Sequence, residues 1–150
     1  MSRDEDLIFK AHAAAYEYYR HAPIMPGIDI YNLEPEAYGA VVEQPEGHAI
    51  PAIGVHPLDN VAALLELPPL DPATDGRIPM QIRAAQRLIA RFPDANIRVP
   101  VSGPFSIASL LLGFDALLMA TVLEPEMMFP TWPGPPPSKV SIQVPSSRGL

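Results

Sequence analysis

Proline most constrains what this chain can fold into. There are 20 among 150 residues, against about 5% in an average protein, and they are spread unevenly. Six of them fall in the 21 residues from Pro130 to Leu150. There, Thr131-Trp132-Pro133-Gly134-Pro135-Pro136-Pro137 suits neither a helix interior nor a central strand. Val140 to Val144 alternates apolar and polar residues, but an isolated strand does not stand alone. The sequence therefore predicts a boundary, with residues 1–128 as a folded domain and residues 129–150 as a Pro-rich, unstructured tail.

Ahead of that boundary the pattern is that of an α/β protein. Leu7, Ile8, Ala11, Ala14, Ala15 and Tyr18 recur at helical spacing, so Asp4 to His21 is expected as a helix stopped by Pro23. Ile24 to Ile30 follows as a short strand, and Glu36 to Tyr38 as a helical turn closed by Gly39. Ala40 to Val42 suggests a strand, and Glu43 to Pro57, with its prolines and glycines, a loop. Asp59 is the expected N-cap of a helix through Leu65. Pro79 suits the first position of a helix to Phe92, with Ile82, Ala85, Leu88 and Ile89 inward and Arg83, Arg87 and Arg91 on a solvated face. Ile97 to Val101 is expected as a strand, followed by helices from Pro104 to Leu112 and from Asp115 through Val122. A further helix begun at Pro125 finds no continuation after Met128. Alternating strands and helices imply parallel strands.

Charge and cysteine usage remove several function classes. The net charge of −7 argues against nucleic acid and an anionic membrane surface as partners. With no cysteine, disulfides, thiol catalysis and thiolate zinc ligation are ruled out within this chain. The start MSRDEDLIFK is not a signal peptide, and Phe105 to Leu112 is too short to span a bilayer, so a cytoplasmic location is expected. His48 and His56, in a Pro-rich loop, lack the helical spacing of a zinc motif and are expected in solvent. No metal is expected.

Two places could carry chemistry. Val101-Ser102-Gly103-Pro104-Phe105-Ser106 runs from a strand into a helix, with Ser102 as a candidate cap and Gly103 allowing a tight turn. The N–H groups of such a helix start can hold a carboxylate or phosphate oxygen, although a plain capped turn has the same residues. The second is Gly27 to Glu34, where Asp29 sits among apolar residues with Asn32, Glu34 and Glu36 close behind. A carboxylate so placed must be paired or hydrogen-bonded. It is either an acid/base or charge-stabilising group, or a strand-end aspartate bonding nearby backbone amides.

These stretches resemble a known family. VSGPFSIASLLLGF, from Val101 to Phe114, resembles the Gly-Pro-Phe segment of the uroporphyrinogen decarboxylase family, and DALLMATVLEPE, from Asp115 to Glu126, resembles the helix that follows it. GIDIYNLEPEAYG, from Gly27 to Gly39, is similar to the strand and E-x-E-A-x-G stretch of the branch related to corrinoid-dependent methyltransferases. DPATDGRIP, from Asp71 to Pro79, resembles the family's D-G-R-x-P loop. Together they cover roughly residues 5–128.

The resemblance implies a partial (β/α)8 barrel, its first few βα units, since a complete barrel takes about 250 residues. It implies decarboxylation of uroporphyrinogen acetate side chains in porphyrin biosynthesis, or methyl transfer from a corrinoid protein to a thiol in the other branch. Asp29 matches the catalytic aspartate best, and Asn32, Ser102, Gly103, Phe105 and Ser106 are the implied substrate-binding residues. The decarboxylases' helix tyrosine falls on Leu110, which favours the methyltransferase-like branch or an uncharacterised one. No cofactor is expected within this chain, whereas zinc and a corrinoid would serve a full-length relative of that branch. A small anionic substrate (a tetrapyrrole, or a methyl donor or acceptor) is the expected ligand. The chain is expected to be inactive alone, as a truncated or frame-shifted part of a barrel enzyme. The alternative is a small non-catalytic binding protein or half-barrel subunit that assembles as a dimer or with a missing half. An open sheet with uncovered helix faces is expected to pack loosely.

Overall fold

The two segments expected as parallel strands meet at a single point. In the computed structural model, which describes residues 3–27, 29, 31–43 and 50–131, Ile24 pairs in parallel with Ile97 as an isolated bridge. The Ile24 N–H donates to the Asn96 carbonyl at 2.8 Å, and the Arg98 N–H donates to the Ile24 carbonyl at 2.9 Å. Among the described residues the ladder goes no further, because Pro26 and Pro100 lack the N–H that would extend it. The expected parallel pairing is present, but the full strands over residues 24–30 and 97–101 are not. Ile28 and Ile30 lie outside the described residues.

Helix α1 (Glu5–Tyr19) starts where the acidic cluster places it. The Asp4 carboxylate caps the Leu7 N–H at 3.0 Å, and Glu5 and Asp6 lie at the positive end of the helix dipole. α2 (Leu33–Ala37) and the short strands β1 (Val41–Glu43) and β2 (Ala52–Val55) follow. The strands pair antiparallel, Val42 opposite Ile53 and Glu43 opposite Ala52. This corrects the reading of residues 43–57 as loop. Pro51 precedes β2 and Gly54 lies within it, and those turn-forming residues masked the apolar Ile53 and Val55. α3 (Val61–Leu65) is capped by Asn60, whose side chain accepts from the Ala63 N–H at 2.9 Å, one residue beyond the expected Asp59.

α4 (Ile78–Arg91), with Pro79 in its first turn, lies against α1. Its buried face is Gln81, Ala84, Ala85 and Leu88, rotated from the expected stripe. Ala84 is small enough to let α1 approach, and Gln81 is tolerated inside because its amide donates to the Pro26 carbonyl. The arginines are solvated as expected, and they also face the acids of α1. Arg83 pairs with Glu5 at 2.9 Å, Arg87 with Asp6 at 2.7 Å, and Arg91 with Glu17 at 2.9 Å. Hydrogen bonds from Arg83 and then Arg87 hold the Glu5 carboxyl below the usual carboxylate range. These pairs are open to water and set the register of the two helices more than their stability.

α5 (Pro104–Leu112) and α6 (Phe114–Leu123) meet at Gly113, whose φ of 93° turns the chain through 108°. α7 (Pro125–Thr131) continues past the expected stop at Met128. Residues 132–150, which hold nearly all of the expected tail, lie outside the described residues, as does His48. Leu111, Leu117 and Ala108 centre the larger apolar core, built from α3, α5 and α6. Ile24, Leu88 and Ala13 centre a second between α1 and α4. Each fully buried Leu or Ile contributes about 1.5–3 kcal/mol. Among the described residues, no single helix is long and apolar enough to cross a membrane; α5 and α6 reach that length and composition only together, across their bend.

Candidate functional site

Asp29 lies just beyond the Ile24 bridge, in irregular chain, and is 5% exposed. Burial of a carboxylate demands partners, and side chains supply them. The Asn32 amide donates to Oδ1, and Arg77 Nη2 donates to Oδ2 at 2.7 Å. The same Asn32 amide nitrogen also donates to the Pro51 carbonyl at 2.9 Å, which ties the site to the start of β2. Among the described residues these side chains, rather than the backbone amides of the alternative reading, hold Asp29. Two of the expected site residues, Asp29 and Asn32, are thus brought together.

Arg77 completes a chain of charges. Its Nε donates to Glu36 Oε2, while Arg3 donates to Glu36 Oε1. Arg77 sits at the N-cap of α4, where a cation opposes the helix dipole. Two carboxylates beside it offset that repulsion. Sequence reading passed over Arg77 as part of a turn. The signal available was an arginine at a helix start, which needs acidic company. Gly76, at φ 53°, makes the approach feasible: a Cβ there would stand 3.0 Å from the Ala37 Cβ. The loop must therefore run close over α2 for the guanidinium to reach Asp29 and Glu36.

The turn into α5 is arranged differently from expectation. Gly103, not Ser102, is the N-cap, and no side chain caps the helix. The Ser102 N–H, one residue before that cap, donates to Glu34 Oε1 at 3.0 Å. The chain thus supplies its own carboxylate at that turn. Glu34 is 5% exposed and links the Asp29 region to the turn. Of the other expected residues, Gly103 faces open space, Phe105 is half-exposed and stands edge-on to Phe114, and the Ser106 carbonyl accepts from Ser109 Oγ. No contact joins Phe105 or Ser106 to Asp29 among the described residues.

The geometry offers a fixed, buried carboxylate, a guanidinium between two acids, and a helix start within one network. Each Asp29 oxygen accepts a hydrogen bond from a described side chain. Among the described residues no group of three or more His, Asp or Glu side chains could hold a metal ion. His56 instead contacts the Leu110 carbonyl through Nδ1 at 2.8 Å, at the end of α5.

The sequence model of one family, Uroporphyrinogen decarboxylase (URO-D), matches residues 1–130. Among solved structures, a methyltransferase from Methanosarcina mazei superposes with a TM-score of 0.74 at 20% identity, over 84% of this chain and 37% of that one. At that identity the likeness is one of fold. The chain spans little more than a third of the length of that structure. No curated protein sequence matches.

Proposed function

Because the chain belongs to the uroporphyrinogen decarboxylase family, we propose that it forms the first βα units of a (β/α)8 barrel enzyme and carries part of that enzyme's active site. Asp29 is the charge-stabilising carboxylate, and Asn32 and Arg77 hold it in place. Its burial between those two side chains is the observation that carries this reading. Ser102, Gly103, Phe105 and Ser106 border the substrate, a small anionic tetrapyrrole or a methyl donor or acceptor. Catalytic residues of such barrels come from the ends of several strands, so the chain alone is inactive.

Two chemistries belong to the family resemblance: decarboxylation and methyl transfer. Leu110, which donates no hydrogen bond where decarboxylases carry a tyrosine, favours methyl transfer, as does the likeness to a methyltransferase. The described residues do not fit zinc. In the methyl-transfer reading, zinc and a corrinoid belong to other parts of a full-length enzyme, and no step here is routed through them.

The test is reconstitution. The full chain would be assayed for uroporphyrinogen decarboxylation and for thiol methylation from a methylated corrinoid protein, alone and co-expressed with the remaining barrel strands as a second chain. No turnover alone and methyl transfer on assembly are expected. Asp29→Asn should then lower kcat by about 100-fold or more, the usual effect of losing one preorganised electrostatic group. Unchanged turnover would remove Asp29 from the site, and turnover by the chain alone would refute the partial-site reading.

A second reading is a half-barrel subunit or binding protein that pairs with a partner or a second copy. The outward side of α6 favours it: Met119, Val122 and Leu123 are all more than half exposed, and contiguous apolar surface of this kind marks interfaces.

A further inference from the structure

Just ahead of Asp29, one peptide unit is held at both of its ends by side chains outside the proposed site. The Pro26 carbonyl accepts from the Gln81 amide of α4. The Gly27 N–H, across the same peptide bond, donates to His12 Nε2 of α1 at 3.0 Å. A peptide unit is planar, and in the trans form its carbonyl and N–H point in opposite directions. Bonds at both ends therefore fix the orientation of the whole plane. Pro26 is fully buried and Gln81 is nearly so, which makes an unpaired group there unfavourable. Glycine is needed at 27 for this arrangement: its φ is 94°, and a Cβ would overlap the Gln81 amide.

Asp29 follows two residues later, and two residues of chain span at most about 7 Å. A fixed Pro26–Gly27 plane therefore leaves the carboxylate little freedom as it meets Asn32 and Arg77. We infer that His12 and Gln81 are positioning residues for Asp29, and that a proton on His12 Nε2 opens one half of their grip and moves the carboxylate. The bond to Gly27 needs a neutral ring. A neutral imidazole keeps one nitrogen as an acceptor, whereas the protonated ring has two donors and would set N–H against N–H. Burial first, and then His21 just past α1, hold the His12 pKa below 6.5. On α4, Arg83, Arg87 and Arg91 are paired with Glu5, Asp6 and Glu17, and residues 24–27 carry no ionisable side chain. That Asp29 is catalytic rests on the reading above; its coupling to His12 does not, and is tested without turnover.

The Asn32 side-chain amide donates to Asp29 Oδ1 and so reports where the carboxylate stands. The full chain, labelled with nitrogen-15, would be titrated from above to below pH 6.5. The Gly27 amide, the Asn32 side-chain amide and the His12 ring protons would be followed together. One midpoint shared by all three, below pH 6.5, is expected. In His12→Gln the side-chain carbonyl stands in for Nε2 and takes no proton, so the Asn32 resonance should keep its neutral-ring position and lose its pH dependence. In His12→Leu and in Gln81→Met it should leave that position at every pH, while the Leu117 amide in the α5–α6 corner stays in place and shows the fold intact. His21→Gln, which removes the neighbouring ring, should leave the response present. An Asn32 resonance that does not follow His12 in the wild type would overturn the coupling. So would a response that persists in His12→Gln or vanishes in His21→Gln, or an Asn32 resonance unmoved in His12→Leu and Gln81→Met. The wild-type titration and His12→Gln decide the matter if leucine or methionine disturbs the fold.

Discussion

Replacing Arg77 with methionine would show what holds the Asp29 site in place. The side chains of Arg77 and Asp29 are 10% and 3% exposed, and the pair is 2.7 Å apart. Methionine keeps the bulk but removes the charge and every donor. Asp29 then keeps only Asn32 from its described side-chain partners, and Glu36 keeps only Arg3. Removing one partner of a buried ion pair costs about 3–5 kcal/mol, because the other charge is left uncompensated. The loss should fall on α2, whose Glu36 and Tyr38 amides donate to the Asn32 and Glu34 carbonyls at 3.0 and 3.1 Å. Hydrogen exchange read at those amides should accelerate by roughly 100-fold, the equivalent of about 3 kcal/mol of local opening. The Leu117 amide, bonded to the Gly113 carbonyl in the distant α5–α6 corner, should be unaffected. The double variant Arg77→Met/Asp29→Leu should recover much of the protection, because neither charge is then buried alone. Exchange at α2 within threefold of wild type in Arg77→Met would refute the network as the anchor of the site.

Other perturbations test other parts of the structure. Leu111→Ala, at a fully buried core position, should destabilise by about 2–5 kcal/mol in urea unfolding, whereas Val122→Ala on the exposed side of α6 should change little. Asn60→Ala removes the cap on the Ala63 N–H and should cost about 1 kcal/mol, confined to α3 in amide exchange. Gly113→Ala forces a side chain into φ 93° and should cost about 1–3 kcal/mol by thermal unfolding, even though its Cβ would only touch the His56 ring at 3.5 Å. His12 gives a pH dependence. Partial burial, and then the nearby His21, push its pKa below 6.5, and its Nε2 accepts the Gly27 N–H at 3.0 Å. Between the two values the unfolded chain binds more protons, so the His12 contribution is present above pH 6.5 and is lost as pH falls below it. Unfolding midpoints measured across that range should flatten in His12→Gln, and an unaltered slope would count against the assignment.

Local chemistry was legible wherever neighbours in sequence decide it. Asp4 before an amphipathic run, Pro79 in a first helical turn, and Pro104 and Gly113 around an apolar nonapeptide placed α1, α4 and α5 to within a residue or two, because caps and proline geometry act over one turn. The suspicion that Asp29 needs company was equally legible, since a carboxylate in an apolar run has no other means of being buried. Tertiary structure decided who that company is. Arg77 lies 48 residues from Asp29 and reads locally as a turn residue, so only the folding of the loop over α2 reveals the pair. The same holds for Glu34, whose bond to Ser102 spans 68 residues and ties α2 to the turn before α5. The strands are the clearest case. A strand is completed by a partner whose position no local pattern encodes, so Ile24 and Ile97 met at a bridge where prolines stopped the ladder, while residues 52–55 became a strand because Val41–Glu43 lay alongside to pair with them.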